Sequence, residues 1–279
     1  MGRIGLLVDS ASDLPADILG RRGIGLLPVE VVMPDGTSFM DDESFSDYDG
    51  FFRFVRDSDD LPTTVQIPPV RIARAFENML GRYDRVVYLA MSSAMSGTYN
   101  NAVTVAADFG GRVKVLDSKQ ISLGYGALAL LFQERLNGAD FDRVEDILED
   151  IQSRFHFYFI IPDLKHLLRG GRVGRASYVA AKILKIMPIL WVADDGVIDV
   201  AAKVRGTRKA VSWFKSALEK WKPDGRLFFS YPLETQLSRA VRKEIVDTYP
   251  HLYWPPRPTT VIHGGPFSVG IAWTGGGEV

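Results

Sequence analysis

Three segments carry side chains able to grip a small anion: Thr63-Thr64-Val65-Gln66, Ser92-Ser93-Ala94-Met95-Ser96-Gly97-Thr98-Tyr99 and His263-Gly264-Gly265-Pro266. Each reads as a loop, or the edge of one, beside an apolar run. Hydroxyls can donate to a carboxylate oxygen. Ser96-Gly97 opens a helix, whose unpaired N–H groups and partial positive charge suit an anion. His263 follows Val261-Ile262, which reads as a strand end, and an imidazole there can also donate. Each residue has a plain alternative: Ser96 caps its helix, the threonines satisfy nearby backbone, and His263 is structural. A serine hydrolase using Ser93 or Ser96 with His263 is the rival chemistry. Gly-x-Ser-x-Gly is absent and no acid is evident to orient His263, so the set reads as a grip.

Other motifs carry less. Gly124-Tyr125-Gly126-Ala127-Leu128-Ala129 matches a dinucleotide pattern. However, Ser118 to Ser122 separate it from the preceding strand, so its glycines fall inside a helix and are expected to allow close packing. Asp41-Asp42-Glu43, with Asp47 and Asp49, lacks calcium-loop spacing and reads as a solvated loop. Arg169, Arg172, Arg175, Lys203, Arg205, Arg208 and Lys209 surround Gly170-Gly171 and Gly206. They suit a transient phosphate or an acidic partner, or else form a solvated face.

Bulk composition narrows the class. The chain has 279 residues, 46% of them hydrophobic, enough for two ordinary domains. A net charge of −1 gives no footprint for nucleic acid. With no cysteine, disulfides, thiol catalysis and cysteine-zinc sites are excluded. No secretory signal is expected, because a strand-like run, Ile4 to Val8, begins almost at once. No apolar stretch reads as a bilayer span. A cytoplasmic location is the expectation.

The elements that must position these groups alternate. Strands are expected at Gly5–Val8, Ile24–Val32, Arg85–Ala90 and Arg112–Leu116. Helices are expected from Ser12 or Asp13 to Arg22, and at Ser46–Arg56, Pro69–Leu80, Ser96–Ala107, Ser122–Leu136 and Phe141–Ser153. This alternation predicts an α/β fold: an N-terminal αβα domain with a mostly parallel sheet, over residues 1–152. Ligands in such sheets bind beyond the carboxyl ends of the strands, where Asp9-Ser10, Ser92-Ser93 and Asp117-Ser118 fall.

The second half differs. Phe155–Ile161, Leu227–Tyr231, Thr259–Ile262 and Ser268–Trp273 read as strands. Ile189–Ala193 and Val197–Val204 flank Asp194-Asp195-Gly196, a hairpin signal. Helices are expected at Leu164–Leu168, Ser177–Leu184, Thr207–Trp221 and Leu233–Tyr249. Residues 153–279 are therefore expected to form a C-terminal two-layer α/β (α+β) domain with a mixed sheet.

In order along the chain, these segments resemble the DegV family of bacterial fatty-acid-binding proteins. The resemblance rests on Val8 to Leu14, Thr64-Val65-Gln66, Ser92 to Tyr99, Asp117 to Gln120 and Ser122-Leu123-Gly124. It continues through Leu167 to Arg172, Lys203 to Gly206 and His263 to Pro266. It implies a non-enzymatic, cytoplasmic lipid carrier with no cofactor, which holds a long-chain fatty acid of the palmitate, stearate or oleate class in an apolar tunnel. The carboxylate would sit at Thr64 and Ser93, with Ser92, Gly97 and His263 lining the pocket. Thr63, Gly265 and Phe267 would stand beside the head group, and Arg172 and Arg205 would face the transferred phosphoryl group. The implied partner is an ATP-dependent fatty acid kinase, a dihydroxyacetone-kinase-like protein. It would make an acyl phosphate for phospholipid synthesis, with no nucleic acid and at most transient membrane contact. The chain departs from the family pattern at Val65, Ile67, Met187 and Phe267. The family usually has serine, proline, lysine and glycine there, and Phe267 is placed to narrow the pocket or cover the carboxylate.

Overall fold

The computed structural model describes residues 2–177 and 186–276. All of the expected Ser177–Leu184 helix except Ser177 lies outside these residues. The first sheet has the order β2-β1-β6-β7 and is wholly parallel: β1 is Ile4–Asp9, β2 Gly25–Leu27, β6 Arg85–Ala90 and β7 Val113–Asp117. Side chains alternate across its two faces. Leu6, Val8, Val87 and Leu89 point to one core, whereas Leu7, Val86 and Tyr88 point to the other. Helices α3 (Pro69–Leu80) and α4 (Thr98–Ala106) cover the second face through Ile72, Phe76, Met79, Ala102 and Val105.

The second sheet is mixed, in the order β10-β9-β8-β13-β11-β12. Its strands are β8 Phe155–Ile160, β9 Met187–Val192, β10 Ile198–Val204, β11 Leu227–Ser230, β12 His251–Tyr253 and β13 Val269–Thr274. Only β11 and β12 pair in parallel. The β9–β10 hairpin turns at Gly196, whose φ of 79° suits glycine. Helices α8 (Gly206–Trp221) and α9 (Gln236–Glu244) cover the outer face through Val211, Phe214, Leu218, Leu237 and Val241. The inner face, including Phe157, Phe159, Leu190 and Phe228, joins the core of the first sheet.

Helix α5 (Ser122–Leu136) is the layer between the two sheets, packing on β1 and on β8, β11 and β13. It is buried from Leu123 through Leu130, as a helix apolar on all sides must be. Its glycines allow the approach. A β-carbon on Gly124 would stand 2.4 Å from the Phe157 ring, and one on Gly126 would stand 2.2 Å from the Ser12 carbonyl oxygen. The dinucleotide-like string is thus a packing surface. No described helix is long and apolar enough to cross a membrane.

Several local expectations are corrected. Ile24–Val32 is two strands, split at Pro28, which cannot donate to a ladder. The second piece, β3 (Glu30–Val32), forms a small antiparallel sheet with β4 (Ser38–Met40) and β5 (Thr63–Val65). Thr63-Thr64 is therefore strand and not loop. The first helix, α1 (Ala16–Arg22), starts after Pro15, because Asp13 takes a left-handed conformation. Helix α2 (Tyr48–Asp57) is capped by Asp47, α6 is Val144–Gln152, and α7 is Lys165–Arg169. The Leu233–Tyr249 stretch is α-helical only over α9, which a Thr235/Ser238 capping box opens, and ends in a 3-10 turn at Val246–Thr248. Thr259–Ile262, β-branched throughout, lies in a helix, α10 (Pro258–Gly264). Proline presets its first turn, and two buried carboxylates from the first half take the N–H groups of Arg257 and Thr259.

Candidate functional site

One cavity lies at the carboxyl ends of the parallel strands. It takes lining from both sheets, from β5, from the Met91–Thr98 loop and from α10. Its empty space, mouth included, is about 1220 Å³. Met91, Met95, Ile121, Leu123, Phe157, Phe159, Ile161 and Ile198 make its interior apolar. Val65, Gln66 and Arg172 are its exposed members and mark the opening.

Thr64 and His263 meet at this opening, with Thr64 Oγ1 and His263 Nε2 sharing a hydrogen bond of 3.1 Å. Two elements produce the meeting. Thr64 is set by its pairing with Val31 in the small sheet, and His263 sits in the last turn of α10. Gly170 closes over the imidazole, so that a β-carbon there would stand 2.4 Å from His263 Nδ1. Gly265, at φ 75°, closes likewise over His166. Burial drives the His263 pKa down to about 4, and the neighbouring Arg172 and His166 push the same way. The ring is therefore neutral near pH 7. Its Nδ1 is buried without a partner among the described residues, so no carboxylate of theirs orients it.

The structure brings together Thr64, Gly97, His263 and Arg172 in the cavity wall, joined by Ser96, Gln66, Ser122 and Thr260. Ser92 and Ser93 do not line it. The Ser92 hydroxyl is fully buried and donates to the Gly196 carbonyl, 2.8 Å away in the β9–β10 turn. The Ser93 N–H donates to Asp117 Oδ1 at 3.3 Å. Ser96 Oγ accepts from the Thr98 N–H and donates to Thr98 Oγ1, but the N-cap of α4 is Gly97 and no side chain caps it, so the expected capping by Ser96 is not made. Thr63, Gly265 and Phe267 lie next to lining residues without joining them. Phe267 is 38% exposed. Arg205 lies outside the wall, at the N-terminus of α8.

The basic set is not one free surface. Arg175 is held by Asp195 and Asp199, each at 2.8 Å, and Arg169 donates to the Asp59 carbonyl. Arg172 donates to the Gly170 carbonyl while lining the cavity.

Sequence reading missed a buried polar network behind the cavity. Asp41, read as part of a solvated loop, is fully buried and pairs with Arg257 at 3.3 Å. The Arg257 guanidinium also donates to the Leu14 carbonyl, and the Arg257 backbone N–H donates to Asp13 Oδ1. Asp13 accepts from Ser122 and Thr260 too. Burial raises the Asp13 carboxyl to about 7, against those bonds. Burial also raises Asp41, with Arg257 opposing. The one signal in the sequence was an arginine set among prolines, Pro255-Pro256-Arg257-Pro258, which is too short a pattern to name its partners.

Fold and site together define an α/β protein with an internal cavity, apolar within and polar at its mouth. The chain belongs to the DegV family: the model for that family, described as an uncharacterised protein family, matches residues 3–275. A DegV domain-containing protein of Caldanaerobacter subterraneus is 33% identical over 216 residues, 76% of this chain and 75% of that one. A DegV family protein from Thermus thermophilus, described for its fatty acid binding, is 31% identical with a TM-score of 0.88. That match covers 98% of this chain and 99% of that one. A DegV lipid binding protein from Thermotoga maritima is 25% identical with a TM-score of 0.82, over 99% of this chain and all of that one. The resemblance read from the motifs is borne out.

Proposed function

We propose that this chain binds one long-chain fatty acid and presents its carboxylate to an ATP-dependent kinase, which makes the acyl phosphate. The observation that carries the reading is the cavity itself, with an apolar body and the Thr64–His263 pair at its opening. The fatty acid binding described for the Thermus relative supports it. An acid of about 16 carbons has some 15 buriable groups, worth roughly 12 kcal/mol at about 0.8 each. Immobilisation and carboxylate desolvation remove several kcal/mol of this, which leaves tight non-covalent retention.

Thr64, Ser96, Gly97 and His263 form the grip, while Ser92 and Ser93 brace the loop that carries Ser96. With its proton on Nε2, the neutral imidazole donates to Thr64 Oγ1 and leaves only a lone pair at the unpartnered Nδ1. The Thr64 O–H is then free to donate to the ligand. A carboxylate held by neutral donors keeps its nucleophilicity better than one locked in a guanidinium fork. Arg172, at the opening, and Arg205 face the partner kinase and the transferred phosphoryl group. Thr63, Gly265 and Phe267 frame the head group. The reading keeps the two domains, 1–152 and 153–279, with the ligand between them.

The chain lacks a Gly-x-x-x-x-Gly-Lys-Ser/Thr loop, so the kinase must supply ATP handling. The test is incubation of acid-loaded protein with ATP, with and without a partner kinase. Acyl phosphate should form only with the partner. Product formed by this chain alone would overturn the division of labour. A serine hydrolase is not favoured, because the His263 Nε2 partner is Thr64 and its Nδ1 lacks an orienting acid.

A further inference from the structure

Strand alternation sets what the second sheet shows to the cavity. On β8 it is Phe157 and Phe159, on β13 it is Gly270, and on β11 it is Ser230, all of which line it. Ser230 stands directly across from Gly270 in the β11–β13 register. Phe228, two residues back on the same face, packs into the apolar core. Ser230 is 5% exposed, and its hydroxyl has no hydrogen-bond partner among the described residues. A buried hydroxyl without a partner is destabilising, and alanine would fill this place without that penalty. Gly270 beside it keeps the floor open: a β-carbon there would press to 3.2 Å from the Phe157 ring. A second lining hydroxyl, Thr259 Oγ1, lies beside the Asp41 carboxylate and makes no well-formed bond. Thr259 is one helical turn from His263 on α10, about 6 Å along its axis.

We infer that the cavity is selective for an acyl chain carrying a hydroxyl along its length, with the Ser230 hydroxyl as its partner. This rests on the fatty-acid-binding reading and narrows its substrate class. The Ser230 O–H can donate to a chain oxygen and accept from the chain hydroxyl, so either orientation satisfies both groups. A plain methylene at the same place leaves Ser230 unpaired. Thr259 offers a second hydroxyl, one turn of α10 from His263.

The experiment measures dissociation constants for octadecanoic acid and a series of its monohydroxy positional isomers, with the wild-type chain and with Ser230→Ala. At least one isomer should bind the wild type better relative to the plain acid, and Ser230→Ala should cut that relative preference about tenfold. Plain octadecanoic acid should bind the variant as well as the wild type or better, which also shows that the variant folds. If plain acid binds both proteins and the relative preference is the same in each for every isomer, the selectivity is overturned and fatty acid binding stands. If neither acid binds the wild type, the underlying reading falls and takes this inference with it.

Discussion

Thr64 Oγ1 and His263 Nε2 lie 3.1 Å apart although 199 residues separate them in the chain. The pair closes the mouth of the cavity between a strand of the smallest sheet and the C-terminal turn of α10. Replacing Thr64 with valine keeps the shape and removes the hydroxyl. Fatty acid affinity should fall by about 1–3 kcal/mol, read by titration calorimetry, because a buried carboxylate loses a donor. Unchanged affinity would remove Thr64 from the grip.

Gly170 tests the imidazole without touching the ligand. Its φ of −77° is open to alanine, so the effect of a β-carbon comes from contact with His263 Nδ1. Gly170→Ala should weaken fatty acid binding with little loss of melting temperature. A variant that binds as the wild type does would mean that the ring position is not what matters.

Helix α5 offers a separate test of packing against nucleotide binding. Gly126→Ala places a methyl 2.2 Å from the Ser12 backbone oxygen. Such overpacking should destabilise the fold by at least about 1–3 kcal/mol in denaturant unfolding. NAD and ATP should not protect the wild-type chain. A nucleotide-induced rise in melting temperature would restore the dinucleotide reading.

Two buried groups make stability depend on pH in opposite senses. Folded Asp13 keeps its proton up to about pH 7, whereas its ordinary value is 3.8. Its contribution is therefore full below about pH 4 and is lost as the pH rises through 7. His263, lowered from 6.5 to about 4, contributes fully above 6.5 and loses that contribution as the pH falls through 4. Asp13→Asn keeps an oxygen for Arg257 and Thr260, and asparagine tolerates the left-handed backbone. Relative to wild type, the variant should gain on the order of 3–4 kcal/mol between pH 4 and pH 8. Parallel stability profiles would place the Asp13 titration elsewhere.

What the sequence made legible follows from how local the causes are. Strands β1, β6, β7 and β8 are apolar runs bounded by polar residues, and the Asp195-Gly196 turn carries its own chemistry. Helix α10 was not legible, since carboxylates more than two hundred residues upstream hold its first turn and its β-branched residues favour a strand. Ser92 shows the same limit. Its hydroxyl looks like a ligand donor until Gly196, 104 residues on, proves to be its acceptor. Thr64, Gly97 and His263 stood out by residue type and by family motif, and all three line the cavity. Ser230 has no motif, and only the register of β11 reveals it.

The claim on which the rest depends is that the cavity holds a long-chain acid. Mass spectrometry of an organic extract from the purified chain tests it most directly. The account predicts about one long-chain fatty acid per chain from the wild type, and markedly less from Thr64→Val. An extract free of fatty acid, from a chain that also fails to take up added acid, would contradict it.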